Sequence, residues 1–246
     1  MDTPPGMDSD MAKIFLVRHG QASLGVANYD ELSALGAEQA RLLGAWWARS
    51  GQRFDIVATG RLRRHRQTAE ECLPALAVGR AQGTLVLPDG GFDEYDQHDI
   101  LGAVVPAFRR PEELNAVLAT DPDGPRRAFQ RIFSAAFERW VAGRHDGDYA
   151  ESWTAFRARC VDAILALAAQ CASGTSAIVF TSGGPIAAIC QHLLGIPDDR
   201  IADLHFSLRN ASVTKLLFQP GRLSLSYFNS VAHLDITGRS NVITYR

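Results

Sequence analysis

The chain has 246 residues, of which 46% are hydrophobic, with a formal net charge of -2 and a pI near 6.4. That length and apolar content suit one large α/β core carrying an elaborated insertion, and the charge balance gives no ground for a nucleic acid or an anionic membrane as partner. No apolar run approaches the ~20 residues of a membrane span. The four cysteines (Cys72, Cys160, Cys171, Cys190) form no C-x-x-C pair, so neither a metal nor a redox cofactor is expected, and a cytoplasmic setting is.

Met1–Asp10 is acidic and proline-bearing and lacks the apolar core of a signal peptide. Residues 1–12 are expected to be a disordered leader, with Met7 and Met11 as alternative starts, and residues 13–246 a single domain. Lys13-Ile14-Phe15-Leu16-Val17 reads as a strand buried on both faces. It ends in Arg18-His19-Gly20, a cation, an imidazole and a residue that lets the backbone turn sharply. Taken alone, the Arg-His pair is equally consistent with a strand running out to solvent.

A polar loop follows, and Ser33 is the expected cap of a helix with Ala37, Ala40, Leu43 and Trp47 on one stripe. Phe54–Thr59 is a second strand and Leu62–Ala77 a helix, with Pro74 breaking its last turn. Thr84–Leu87 is a third, short strand, and Pro88 to Gly91 is turn chemistry. From about residue 100 to 150, Pro106, Pro111, Pro122 and Pro125 punctuate helical pieces such as Glu112–Ala119 and Arg127–Val141. Phe129, Ile132, Phe133, Phe137 and Trp140 give this insertion an apolar face.

A long helix bearing Trp153, Phe156, Cys160, Ile164 and Leu167 precedes the strand Ser176–Thr181 and the turn Ser182-Gly183-Gly184-Pro185. Proline suits the first turn of the next helix. Ser212–Phe218 and Arg222–Tyr227 read as an antiparallel hairpin around Gln219-Pro220-Gly221. The alternation predicts a three-layer α/β/α fold, with a mostly parallel central sheet, an antiparallel edge and a helical insertion.

Three strand ends then meet at one carboxyl edge, where open α/β sheets place ligands. They are Arg18-His19-Gly20, Thr59-Gly60 with the arginine cluster behind it, and Thr181-Ser182-Gly183-Gly184. Two arginine sources and a glycine-rich helix start describe a site for a dianion such as a phosphoryl group. The P-loop pattern is absent.

Arg18-His19-Gly20-Gln21-Ala22-Ser23, Leu32-Ser33-Ala34-Leu35-Gly36 with Gln39-Ala40, and Arg64-His65-Arg66-Gln67-Thr68-Ala69 together resemble the histidine phosphatase superfamily, or phosphoglycerate mutase-like proteins. The likeness runs from about Lys13 to Phe228. It implies that His19 is the nucleophile that becomes a phosphohistidine, that Arg18 and Arg64 clamp the phosphate, and that Glu94 protonates the leaving oxygen. Asp93 is the alternative acid if the alignment slips by one position. Gln21, Ser23, Ser182 and Gly183 are the further expected contacts to phosphate or substrate. Neighbouring guanidinium charge should keep the His19 imidazole neutral and nucleophilic.

One position departs from the family's pattern. The strand that ordinarily ends in a second histidine here ends in Ser182, which can donate one hydrogen bond but carries no charge. Two functions follow. The chain is a phosphohydrolase of small phosphomonoesters working through His19, or a phosphate-binding, regulatory pseudo-phosphatase with little turnover; a mutase has no specific indication. If serine is merely a lost pole, replacing Ser182 by histidine should raise turnover; an unchanged or lower rate would mean a pocket adapted around serine. A small phosphorylated substrate is the expected partner, with inorganic phosphate or sulfate as anions the site would hold.

Arg61, Arg63 and Arg66 are expected on a solvated helix face or in local ion pairs. His65 should point about 100° away from Arg64 and is left outside the site. His98 is read equally as lining the pocket or as a surface residue, and His145, His192, His205 and His233 as structural or surface histidines. Trp46, Trp47 and the hairpin edge are core or interface, and nothing in the chain decides the oligomeric state.

Overall fold

The computed structural model describes residues 11–23, 30–79 and 86–245. Met1–Asp10, most of the loop after Ser23, and Thr84–Leu85 lie outside the described residues. Strand β1 spans Ala12–Arg18, one residue into the stretch assigned above to a leader. Ala12 already pairs with Phe218 across the sheet.

Around β1 the described strands are β2 (Ile56–Thr59), β3 (Val86–Pro88), β4 (Ser176–Thr181), β5 (Val213–Gln219) and β6 (Arg222–Ser230), in the order β3-β2-β4-β1-β5-β6. The first four strands in that order run parallel, and β5 and β6 form the antiparallel edge. Pro88 belongs to a strand, not a turn: it lies opposite Thr59 on the sheet's outermost strand, where a missing N–H leaves no ladder bond unmade.

Helices α1 (Ala34–Arg49) and α2 (Arg63–Cys72) cover one face. The apolar stretch of β1 explains the two-sided burial by simple alternation. Phe15 and Val17 join Ala40, Leu43, Trp47, Ala69 and Ile178 on the α1–α2 side. Ile14 and Leu16 point the other way, into a cluster that includes Phe133, Phe137, Trp140, Trp153 and Phe156.

That second layer is built by α3 (Gln97–Val104), α4 (Pro111–Ala119), α5 (Pro125–Val141), α6 (Trp153–Ala169), α7 (Gly183–Leu194) and α8 (Ile201–Ser207). The insertion's aromatic face is therefore continuous with the sheet's core. Helix α2 stops at Cys72, and Pro74 lies in a 3₁₀ segment, Leu73–Gly79. Ser33 caps α1, its side chain accepting from Gly36 N. Trp47 is buried edge-on against Phe15 and Phe54, so it is core. All four cysteines are buried and unbridged. Among the described residues no helix is long and apolar enough to cross a membrane.

Helix α9 (Ala232–Asp235) carries a test of the packing. His233 is buried, its Nε2 has no hydrogen-bond partner among the described residues, and burial lowers its pKa from 6.5 to about 4. Below pH 6.5 the unfolded chain takes up a proton that the folded chain refuses until about pH 4, so stability falls as pH drops through that window, by up to about 3 kcal/mol. Urea midpoints should show that fall, and His233→Gln should reduce it.

Candidate active site

The parallel register sets the site. Arg18 lies opposite Thr181, His19 N donates to Thr181 O (2.8 Å), and Gly60 N donates to Phe180 O (2.9 Å). The three strand ends singled out in the sequence thus lie side by side. Gly20 follows because only a residue without a Cβ fits there: a Cβ would lie 2.3 Å from the carbonyl oxygen of Gly36. Gly20 N donates to Thr68 Oγ1 (3.2 Å), which in turn donates to Arg64 O (2.7 Å). Gln67 Oε1 accepts from Leu32 N (2.8 Å). The Gln-Thr pair of the second motif therefore ties α2 to the loop after β1.

His19 is buried and its tautomer is fixed. Nδ1 lies 2.7 Å from the carbonyl oxygen of Gly20. A carbonyl only accepts, so Nδ1 carries the proton and Nε2 keeps its lone pair. Burial first, then Arg64, then Arg18, hold the imidazole's pKa well below 6.5. The sequence pointed to the adjacent arginine; the larger causes are the surrounding protein and the arginine of the second motif. The His19 carbonyl accepts from Ala211 N (3.1 Å) and Asn210 Nδ2 (3.4 Å). Ala211 adopts φ +54° to make that bond, a left-handed conformation costing a non-glycine residue about 1–2 kcal/mol.

Arg18 Nη1 donates to the carbonyls of Leu208 and, at 3.1 Å, Tyr245. Arg64 Nη1 donates to Asp30 Oδ1 (2.9 Å), while Asp30 Oδ2 accepts from Arg63 N (2.8 Å) at the start of α2. Both guanidiniums are buried, and both act on His19 electrostatically. Glu94 lies at the N-terminus of α7, where Gly184 N donates to its two oxygens at 3.1 and 3.2 Å. A Cβ at Gly184 would sit 2.0 Å from Glu94 Oε1, so glycine is needed there to admit the carboxylate. Arg159 of α6 fixes the loop carrying Glu94 through the carbonyls of Gly90 (3.0 Å) and Asp93 (2.9 Å). Asp93 itself is paired with Arg61, Oδ2 to Nε at 2.8 Å.

Gln21 by its side chain and Ser23 by its backbone bond to the start of α1 and the loop before it. Gln21 Oε1 accepts from Ser33 Oγ (2.9 Å) at the α1 cap, and Ser23 N donates to Glu31 O (2.8 Å). Arg61, Arg63 and Arg66 fall in local contacts: Arg61 with Asp93, Arg63 with Glu31, and Arg66 donating to Arg61 O. His98, His145 and His192 are exposed.

His65 requires a correction. Its rotation away from Arg64 carries it toward the sheet, not toward solvent, because Arg64, His65, Thr68, Ala69 and Cys72 together form the buried face of α2. Its Nε2 lies 2.6 Å from Ser182 Oγ, and its ring centroid is 5.9 Å from that of His19. A histidine at position 182 would need the His65 ring, 2.6 Å from Ser182 Oγ, to move, so Ser182→His is now expected to leave turnover unchanged or lower.

Residues 14–231 match the model of the histidine phosphatase superfamily, branch 1. The chain belongs to this superfamily. Solved histidine phosphatase-like structures share its fold at low identity. A phosphoglycerate mutase from Bacillus anthracis superposes with a TM-score of 0.62 at 20% identity, covering 94% of this chain and 99% of the other. A mutant phosphoserine phosphatase from Entamoeba histolytica with phosphoserine gives 0.60 at 21%, covering 91% and 100%. A mycobacterial glucosyl-3-phosphoglycerate phosphatase gives 0.59 at 22%, covering 89% and 99%. Comparison with curated proteins by sequence finds no match.

The resemblance singled out Arg18, His19, Arg64 and Glu94, but not the residues that hold them. Asp30, Asn210, Ala211 and the Tyr245 carbonyl had no spacing to betray them. His205 is another: it accepts from or donates to Tyr95 Oη at 2.8 Å and stacks on Phe137 at 5.0 Å. It thereby ties α8 and the insertion to the residue following Glu94. The one available signal lay at His65, an imidazole placed within the best-matched motif.

Proposed function

We propose that the protein is a phosphohydrolase that cleaves a small phosphomonoester by transferring its phosphoryl group to His19 Nε2. The observation that carries this reading is the fixed tautomer: a buried imidazole with Nδ1–H bound to Gly20 O, kept neutral beside two arginines. Such a ring has no function as a salt-bridge partner and the right one as a nucleophile.

In the first step Nε2 forms a bond to phosphorus while the bond to the ester oxygen breaks. Arg18 and Arg64 neutralise the charge on the non-bridging oxygens, the main catalytic demand of phosphoryl transfer. Glu94 gives its proton to the departing oxygen. Glu94 then takes a proton from water, whose oxygen attacks the phosphohistidine and releases inorganic phosphate. Asp93, committed to Arg61, is left out of this scheme.

The smallness of the substrate is supported by relatives named for phosphoserine and glucosyl-3-phosphoglycerate. The alternative, a phosphate-binding protein with little turnover, rests on Ser182 alone. Incubation with a panel of sugar, amino-acid and glycerate phosphates should release phosphate from at least one, with orthovanadate competing. A protein that releases none and acquires no acid-labile phosphate would refute the proposal.

A further inference from the structure

Ser182 is the N-cap residue of α7, yet its side chain makes no cap bond within the helix. Serine at that position ordinarily turns its hydroxyl onto a first-turn amide. Here the hydroxyl is drawn instead to His65 Nε2, 2.6 Å away, in a place where both residues are fully buried. His65 comes from a different element, and the backbone leaves a slot for its ring: a Cβ on Gly60 would lie 2.2 Å from His65 Nδ1. The pair stands next to His19, whose amide bonds the residue before Ser182 and whose ring lies 5.9 Å from that of His65.

The hydrogen-bond inventory gives the pair a direction. His65 Nδ1 is buried without a hydrogen-bond partner among the described residues. If Ser182 donated to Nε2, the proton on Nδ1 would be a buried N–H with no acceptor, the rarer and costlier orphan. With the proton on Nε2, His65 donates to Ser182 Oγ, and the serine's own proton is left to point elsewhere. The pair stands beside His19, whose ring centroid lies 5.9 Å from that of His65.

We propose that His65 is a positioning residue that aligns the Ser182 hydroxyl as a hydrogen-bond donor to the phosphoryl group at His19, so that a Ser–His pair drawn from two elements serves where one imidazole on the strand otherwise would. The inference rests on the phosphohydrolase reading for its catalytic consequence, but the pair's effect on a bound oxyanion is separate from turnover. Nothing is transferred covalently in it. The donor bond strengthens as charge builds on the equatorial oxygens, so its loss falls on kcat more than on KM.

The test is a double-variant cycle on the full chain with His65→Ala, Ser182→Ala and their combination, read by turnover of the best panel substrate and by calorimetric binding of orthovanadate. Each single variant should lower kcat roughly 10²-fold with KM changed less than about threefold, and weaken vanadate at least about tenfold. The double variant should lose no more than Ser182→Ala does, because His65 acts through that hydroxyl. His65→Gln, which keeps an N–H donor near the Nε2 position, should recover most of the loss and serves as the test if His65→Ala does not fold.

Losses below threefold in folded His65→Ala, or losses that multiply in the double variant, would overturn the proposal while leaving the phosphohydrolase reading intact. A wild-type protein that hydrolyses nothing but binds vanadate, weakened by His65→Ala only when Ser182 is present, would refute the phosphohydrolase and keep the pair. No vanadate binding and no turnover would remove both.

Discussion

His19→Ala is expected to reduce turnover by at least roughly 10³-fold and to abolish the acid-labile phosphate that rapid quenching should trap on the wild-type protein. The side chain is buried against its own following carbonyl and, among the described residues, makes no hydrogen bond to another element, so the variant should fold and still bind phosphate through Arg18 and Arg64. The pH profile gives the same claim a second reading. The reactive form is the neutral ring, and its pKa is held well below 6.5 by burial, Arg64 and Arg18, in that order. Activity should therefore stay level as pH falls through 6.5 and decline only at lower pH. Arg64→Met removes the largest charge acting on the ring, so its acid limb should move upward in pH. An acid limb in the wild type at or above 6.5 would contradict the assignment of His19 as a neutral nucleophile.

What the sequence made legible divides along a physical line. Elements with strong periodicity or caps were readable: β1 with its two-sided burial, α1 behind Ser33, and β4 running into a glycine-rich helix start. Parallel strands bring their carboxyl ends together by construction, so placing Arg18, Thr59 and Ser182 at one edge needed no coordinates. The short helices α3 and α8 carry little periodic signal and passed unread. Contacts made by backbone groups were invisible, including the Tyr245 and Leu208 carbonyls on Arg18, because a carbonyl has no residue type. His65 was left out for a different reason. The 100° turn from Arg64 says only that the two side chains diverge; α2 sits at the sheet's mouth and buries a wide face, so that turn leads to Ser182. The departure at Ser182 was visible; the imidazole that meets its hydroxyl lies 117 positions earlier in the chain.

Glu94→Gln is expected to cost roughly 10²–10⁴-fold in kcat on alkyl phosphates, the usual worth of a positioned general acid, and the size should depend on the leaving group. Gln keeps the length of the side chain and can still accept from Gly184 N, so the α7 start and its neighbours Tyr95 and Phe156 should remain in place. An alkoxide cannot leave without a proton. Nitrophenolate leaves as the anion, so p-nitrophenyl phosphate should still phosphorylate His19 in the variant at near wild-type rate. Hydrolysis of the phosphohistidine then lacks the base that activates water, and the phosphoenzyme should accumulate, giving a burst of nitrophenolate followed by slow turnover. Asp93→Asn is the matched control: its carboxylate is paired with Arg61, and its loss should leave both phases within a few-fold of wild type. Equal losses on both substrates, with no burst, would remove Glu94 from the proton path. It would then be a carboxylate that merely caps α7.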